Sequence, residues 1–470
     1  MDSELKKRYG FSWVTVASLF FMWGFITCLN YLLVPYLQQV FDLNNFWSNF
    51  VPVSFFLAYF LVSLGYYFLS TIWGDPAKKI GYKNTIVLGL MLSVIGCFLF
   101  FLETSTPAPQ FFYFLGAIFL LGAGFSFLQI ASNPLILGMG PAETSYSRLN
   151  LTQVFNSLGT TLAPVIGGYV LFQLFNGDEE TSTFSDPSAV QIPYLIMTSA
   201  LLILTGVVFL TNIPEPQDND SLDGKKEMIS RRGALQYPYL VFGMIAIFCY
   251  VGAEVSIGTN LVGYVKEAFD FDNLTACFYL AYYWGSAMIG RFLGAISMYN
   301  RFSLSEKAGL MLLAAVVLFA VIFLSTDLNF SQVVYFWFFV ALNYVVFFLA
   351  KSRPSRTLGF FAIVNIALLS FMLCFENELS LWALLSVGLF NSIMFSNIFT
   401  MALEGLGKYT SQGSSLLVMM IIGGAVIPPL QGWVADQLGA HRAFVVPLVC
   451  YAYLVFYGFA GHKWGKNVRK

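Results

Sequence analysis

The chain has 470 residues, of which 58% are hydrophobic, 18% aromatic and only 10% charged, with a formal net charge of −1. A soluble domain needs about 25% charged residues to cover its surface, so this surface must largely face lipid, and the near-zero charge excludes nucleic acid as a partner. The six cysteines (Cys28, Cys97, Cys249, Cys277, Cys374, Cys450) all fall inside apolar runs without metal-ligand spacing, and read as small buried or lipid-facing residues rather than disulfides.

A hydrocarbon core of about 30 Å takes roughly 20 apolar residues per helix. In chain order, spans are predicted at 12–38, 47–73, 84–102, 110–138, 149–174, 193–212, 238–265, 274–299, 308–325, 331–350, 358–375, 381–403, 414–435 and 441–462. Their length and lack of strict alternation favour helices over barrel strands, so the fold class is an all-α membrane protein of about 14 transmembrane helices. With the N-terminus inside, 22 of the 24 Lys and Arg residues fall on the cytoplasmic side, and only Lys266 and Arg442 lie outside. The acidic "GDEETSTFSD" loop then lies on the outer face, and both termini are cytoplasmic.

An internal repeat divides the chain. "GTTLAPVIGGYV" (159–170) overlays "GGAVIPPLQGWV" (423–434), aligning Gly159, Pro164, Gly168 and Val170 with Gly423, Pro428, Gly432 and Val434 at an offset of 264. The same offset carries Ser132-Asn133 onto Ser396-Asn397, whereas "VFDL" (40–43) meets "AFDF" (268–271) at an offset of 228. The second half is thus about 36 residues longer, which a helix pair inserted near 308–350 accounts for. The expected organisation is a six-helix half over 1–212, a cytoplasmic linker over 213–236, and a second half over 237–470 that carries the inserted pair. Two such halves are the architecture of a transporter built from repeats.

The polar residues inside the spans carry the function. Of 49 charged residues, only Glu254 in "CYVGAEVSIGTN" falls near the middle of a span. Such a residue is expensive to keep and faces a cavity, unless it is protonated and bonded to a neighbouring helix. Arg291, Glu404 and Asp436 sit nearer span ends, where structural roles are expected, and "GDPAKKIGYK" and "GRFLGAI" read as inter-helix latches. Uncharged amides gather at mid-depth: Asn30, Gln129, Asn133, Gln153, Asn156, Asn260, Asn391 and Asn397. Singly, each is as well read as helix–helix glue as a ligand contact. Together they suggest a shared cavity, and amides offer donors and acceptors suited to a neutral polyhydroxylated molecule. Trp23, Tyr31, Tyr282, Tyr283 and Trp284 offer flat faces for a sugar ring, against the general tendency of membrane aromatics to pack or sit at interfaces. No Walker A motif, catalytic constellation or metal cluster is found, so neither an enzyme nor a cofactor is expected.

The runs "LNYLLVPYLQQVF", "LQIASNPLILGMGPAETSYSRLNLTQVFNSLGTTLAP", "YVGAEVSIG", "GLFNSIMFSNIFTMALEGLGKYTSQGSSLLVM" and "GGAVIPPLQG" resemble the bacterial glucose/galactose branch of the fucose–proton symporter family, within the major facilitator superfamily. The resemblance covers nearly the whole chain outside the inserted pair. It implies a twelve-helix core with alternating access and a hexose site between the halves, and a longer family variant with extra helices matches the span count. Two departures stand out. Leu29-Asn30-Tyr31 replaces the family's Leu-Asn-Asp in the first helix, and Leu128-Gln129 stands where the fucose branch has Leu-Glu. Both carboxylates tied to proton coupling in that branch are therefore absent.

The resulting expectation is a monomeric secondary transporter of a neutral hexose (glucose/galactose-like, or fucose or an amino sugar) in a bacterial inner membrane, with H⁺ or Na⁺ as the coupling partner. Asn30, Tyr31, Gln129, Asn133, Gln153, Asn156 and Asn391 are the expected substrate contacts, and Glu254 the coupling residue. Pro35 is expected to bend the first helix beside the cavity. An uncoupled facilitator, an exporter of amphipathic compounds and a non-transporting sugar sensor are the alternatives.

Overall fold

The computed structural model describes residues 3–43, 47, 50–106, 109–139, 144–169, 190–213, 233–299, 302–351 and 353–464. Most of the linker, the acidic stretch 177–186 and the side chains of Pro35, Gln38 and Gln39 lie outside the described residues. Among those residues there are no strands. Fourteen long helical segments follow one another: α1 Ser3–Val40, α2 Phe50–Trp73, α3 Tyr82–Thr104, α4 Phe111–Gly138, α5 Ser145–Tyr169, α6 Gln191–Leu210 and α7 Pro238–Phe269. After these come α8 Asn273–Ser297, α9 Leu304–Ser325, α10 Phe330–Leu349, α11 Pro354–Cys374, α12 Glu378–Leu403, α13 Gly407–Leu438 and α14 Arg442–Phe459.

Twelve of these helices are long and apolar enough to cross a membrane. The other two are α5 and α8, each of 25 residues. That length reaches about 37 Å at 1.5 Å per residue. They carry more polar side chains because they pack against each other in the middle of the molecule instead of facing lipid. On α5, Asn150, Gln153, Ser157 and Thr161 are all buried.

The packing repeats. In the first half α1 lies on α5, α2 on α4, and α3 on α4 and α6; in the second, α7 lies on α13, α8 on α12, and α11 on α12 and α14. The glycines of the sequence repeat perform matching tasks. A Cβ on Gly159 of α5 would strike the Phe21 carbonyl oxygen of α1, and one on Gly423 of α13 would strike the Phe248 carbonyl oxygen of α7. From the other side, Gly24 faces the Asn156 carbonyl, and Gly252 faces Ile427 and the Gly423 carbonyl. Small residues let backbones approach this closely, which is how helices gain contact in a solvent as apolar as their side chains.

The pair α9–α10 lies on the outside. It leans on α8 and α12, with Tyr344 donating to the Ala308 carbonyl at 2.7 Å and Asn343 donating to the Leu389 carbonyl at 3.1 Å. Leu304, Leu312, Leu313 and Leu324 are 69%, 59%, 60% and 82% exposed, as a lipid-facing wall requires. Ser303 and Glu306 start α9 with a reciprocal capping box.

The halves meet through α5–α8 and α2–α13. Two of the helices near this seam are broken: α12 is interrupted between Asn391 and Met394, and α13 tightens to a 3₁₀ turn over Met420–Ile422. Irregular backbone at membrane depth survives only where it is buried in protein or lines a cavity.

Gly159→Val and Gly423→Val should each lower the thermal stability of the purified protein, by about 1–3 kcal/mol for an overpacked contact. Gly206→Val on α6, where an added Cβ meets nothing within 4 Å, should leave it near wild type; equal melting of all three would remove the close-approach argument.

Candidate functional site

A cavity opens between the two halves, lined by helices of both. Helical spacing explains its lining. Trp23, Thr27 and Tyr31 recur every fourth residue on α1; Gln153, Asn156 and Thr160 fall three and four apart on α5; Tyr250 and Glu254 are one turn apart on α7; Trp284 and Arg291 are two turns apart on α8. Tyr59 of α2, Gln129 of α4, Phe395 of α12 and Ile421 of the α13 break complete the wall.

Arg291 is the centre of its electrostatics. It is only 4% exposed, and Glu254 only 9%. The Arg291 Nη2 donates to Glu254 Oε1 at 3.3 Å, and Nε donates to the Ser392 carbonyl at 2.9 Å, at the break in α12. Its Nη1 reaches across to α5, donating to the Gln153 carbonyl and Asn156 Oδ1 at 3.4 Å each, and to the Ser157 hydroxyl. Removing one partner of such a buried pair costs about 3–5 kcal/mol. Because the two charges cancel, the cavity presents no net charge to a ligand.

The structure brings Tyr31, Gln129, Gln153, Asn156 and Glu254 of the expected site to this one cavity, together with Trp23 and Trp284. Three expected contacts lie elsewhere in the structure. Asn391 is buried behind the wall, accepting from Asn365 Nδ2 at 2.9 Å and the Tyr451 hydroxyl at 2.7 Å while donating to the Tyr283 hydroxyl at 3.2 Å. Both lone pairs of its carbonyl oxygen and one of its amide hydrogens are engaged within the second half. Asn30 turns away from the cavity to accept from the Tyr194 hydroxyl of α6 at 3.0 Å. Asn133 is fully buried in α4 and does not line the cavity. Tyr282 packs edge-on against Trp382, and Tyr283 donates to the Glu254 carbonyl at 3.0 Å, so neither offers a ring face to the cavity.

Sequence reasoning missed Arg291 by reading it as a span-end residue; its position seven residues after Trp284, on the same face, was the available signal. It also missed Thr27 and Tyr250, hinted at only by their spacing from Trp23 and Glu254, and Tyr59 of α2, for which the sequence held no such signal.

Several cavity-lining residues keep buried polar atoms without a protein partner: Thr27 Oγ1, Gln129 Oε1, Gln153 Nε2 and Trp284 Nε1. Gln129 uses its other end, Nε2 donating to the Tyr59 hydroxyl at 3.1 Å, whereas Asn156 is engaged at both ends, Nδ2 donating to the Phe20 carbonyl at 3.1 Å and Oδ1 accepting from Arg291. Orphaned buried groups are costly and rare in folded proteins. Here donors and acceptors converge between aromatic rings.

The comparisons with known proteins agree with this arrangement. The family model described as Major Facilitator Superfamily matches residues 15–350. The chain belongs to the Major Facilitator Superfamily. Within the superfamily it is 38% identical to the "Glucose/galactose transporter" of Brucella abortus biovar 1 (strain 9-941), over 98% of this chain and 97% of that one. It is 26% identical to the "L-fucose-proton symporter" of Escherichia coli (strain K12), over 97% and 94%. The crystal structure of the superfamily transporter FucP in the outward conformation superposes with a TM-score of 0.69, at 26% identity and covering 96% of this chain and 98% of that one. This superfamily member is a multi-pass membrane protein.

Asn391→Ala should leave the Tyr451 hydroxyl and Asn365 amide unpaired in the second-half core. The expected loss is about 1–3 kcal/mol for a buried group left unsatisfied, read as a lower melting temperature of the purified protein; an unchanged melting temperature would mean that the network contributes nothing to the fold.

Proposed function

We propose that the protein is a secondary transporter of a neutral hexose, working by alternating access of two six-helix halves about the central cavity. The single observation that carries this is the set of partnerless donors and acceptors on Thr27, Gln129, Gln153 and Trp284, gathered around aromatic rings in a charge-balanced cavity. A sugar has hydroxyls that both donate and accept, and apolar ring faces that stack on aromatics, so it meets both demands. The Brucella glucose/galactose transporter and the Escherichia coli L-fucose-proton symporter, named above, support the same substrate class. Gln129, Gln153, Asn156 and Tyr31 are the proposed sugar contacts. The 304–349 helix pair is an insertion in the second half, and no step of the cycle calls for enzyme chemistry.

Glu254 is the proposed coupling group, because Tyr31 and Gln129 occupy the positions where the related symporters carry carboxylates. A phenol titrates near pH 10 and does not exchange a proton at neutral pH. The distribution of Lys and Arg supports an orientation with both termini in the cytoplasm of a bacterial inner membrane. An uncoupled facilitator is the second reading, favoured by those same two replacements.

Three measurements test this. Cysteines introduced at Lys351 and Arg356 should resist an impermeant reagent applied from outside; ready labelling would invert the topology. Gln153→Ala and Gln129→Ala should each weaken hexose binding roughly tenfold or more, since an unpaired sugar hydroxyl costs about 1–3 kcal/mol and 1.4 kcal/mol is a factor of ten; binding equal to wild type in both would move the site elsewhere. Glu254→Gln should abolish uphill accumulation in proteoliposomes under an imposed pH or Na⁺ gradient yet retain exchange of labelled hexose. If neither gradient drives accumulation by the wild type, the facilitator reading stands instead.

A further inference from the structure

We propose that Arg291 is the lock between the two halves, and that a proton on Glu254 releases it so that the pathway opens at the end carrying the basic loops. This deepens the transport reading above and rests on it for the direction of transport. Hydrogen bonds cross between the halves at that end and at mid-depth. At the basic end Tyr82 pairs with Ser411 at 2.9 Å, Gln412 Nε2 donates to the Ser70 carbonyl at 3.3 Å, and Ser147 donates to the Ala295 carbonyl at 2.7 Å. Asn150 Nδ2 reaches Met298 Sδ at 3.5 Å, and Ser414 donates to the Ile130 carbonyl at 3.2 Å. All of these are neutral groups. The Arg291 bonds to α5 lie at mid-depth, and unlike these they carry charge.

The five acceptors of Arg291 divide unequally. Gln153, Asn156 and Ser157 belong to the first half, Ser392 and Glu254 to the second, and Glu254 alone is an anion. While Glu254 is ionised, the guanidinium is balanced and rests in a closed, nearly dry seam. A proton from water on the acidic side adds to a Glu254 oxygen, forming an O–H bond and cancelling its charge. Arg291 is then a buried cation without a counter-ion, a state far costlier than the balanced pair. Water admitted at the basic end relieves that cost, and the bonds to α5 give way to hydration. Release of the same proton to water at that end restores the carboxylate and lets Arg291 close the seam again. A proton shifts the equilibrium because it stabilises the two conformations unequally.

The other titratable groups in electrostatic reach of Glu254 are tyrosines, namely Tyr250 on α7, Tyr31 on α1, Tyr283 on α8 and Tyr451 on α14. They are neutral at physiological pH, which leaves Arg291 to respond to the charge on Glu254.

The test uses the full chain with its six native cysteines replaced, carrying either Ser411→Cys as a reporter of the basic end or Thr27→Cys as a reporter of the cavity from the acidic end. Labelling by an impermeant maleimide is followed in vesicles of both orientations and normalised to the same cysteine in the denatured chain. Glu254→Gln and Arg291→Gln should each speed labelling at position 411 about tenfold or more, the factor that one buried charge-assisted hydrogen bond supplies, and slow it at position 27. Arg291→Lys should recover part of the wild-type pattern. In the wild type, labelling at 411 should rise as pH falls, and in Glu254→Gln it should be flat. Faster labelling at both reporters would mean general loosening and overturn the proposal, as would no change at 411. If Arg291→Gln does not fold, Glu254→Gln, which keeps the side-chain shape, decides alone. Hexose binding to the wild type is measured separately: its absence would refute the transport reading while the labelling pattern still judges the lock.

Discussion

Hydrocarbon offers no water to a polar group, so every amide, hydroxyl, charge and interrupted helix in this chain has to find its partner inside the protein. That constraint explains where the polar residues lie. The two helices too polar to be counted as apolar spans, α5 and α8, are pressed together at the centre of the molecule. The breaks in α12 and α13 fall at the same depth, where Arg291 takes up the Ser392 carbonyl and Ile421 lines the cavity. The largely apolar α9–α10 pair is left outside, with its leucines turned to lipid.

Buried polarity in this protein serves two distinct ends. Asn391, Asn365, Tyr451 and Tyr283 form a chain of bonds within the second half that ends on the Glu254 carbonyl, fixing the segment of α7 that bears the carboxylate. Gln129, Gln153 and their neighbours instead leave atoms unpaired toward the cavity. The first set is bonded to itself within one half, which favours a unique packing. The second is unsatisfied without a ligand, which is the physical signature of a binding surface.

The repeated glycine contacts bear on motion as well as stability. Gly24 against α5 and Gly252 against α13 bind each half into a unit whose internal helix distances are set by backbone contact. The seam between the halves has a different character: a few neutral hydrogen bonds at the basic end and one guanidinium at mid-depth. Rigid units joined by a sparse polar seam are what rocking motion requires, because interfaces of this kind switch between arrangements instead of deforming continuously.

The sequence by itself determined the membrane class, the fourteen helices, most of them to within a few residues, and the pairing of Gly159 with Gly423. These depend on local hydropathy and on a repeat, and both are written along the chain. It also singled out Glu254, since a lone carboxylate at mid-span is conspicuous in one dimension. Which amides face the cavity was decided only by the tertiary structure. Asn30, Asn133 and Asn391 carry the same chemistry at the same depth as Gln153 and Asn156, and the difference lies in helix rotation and in whether a tyrosine from another helix has already claimed the amide. Arg291 shows the same limit. Its partners come from α5, α7 and α12, up to 138 residues away in the chain, and no spacing along one helix records that a charge near a span end is held in the centre of the protein by acceptors from three others.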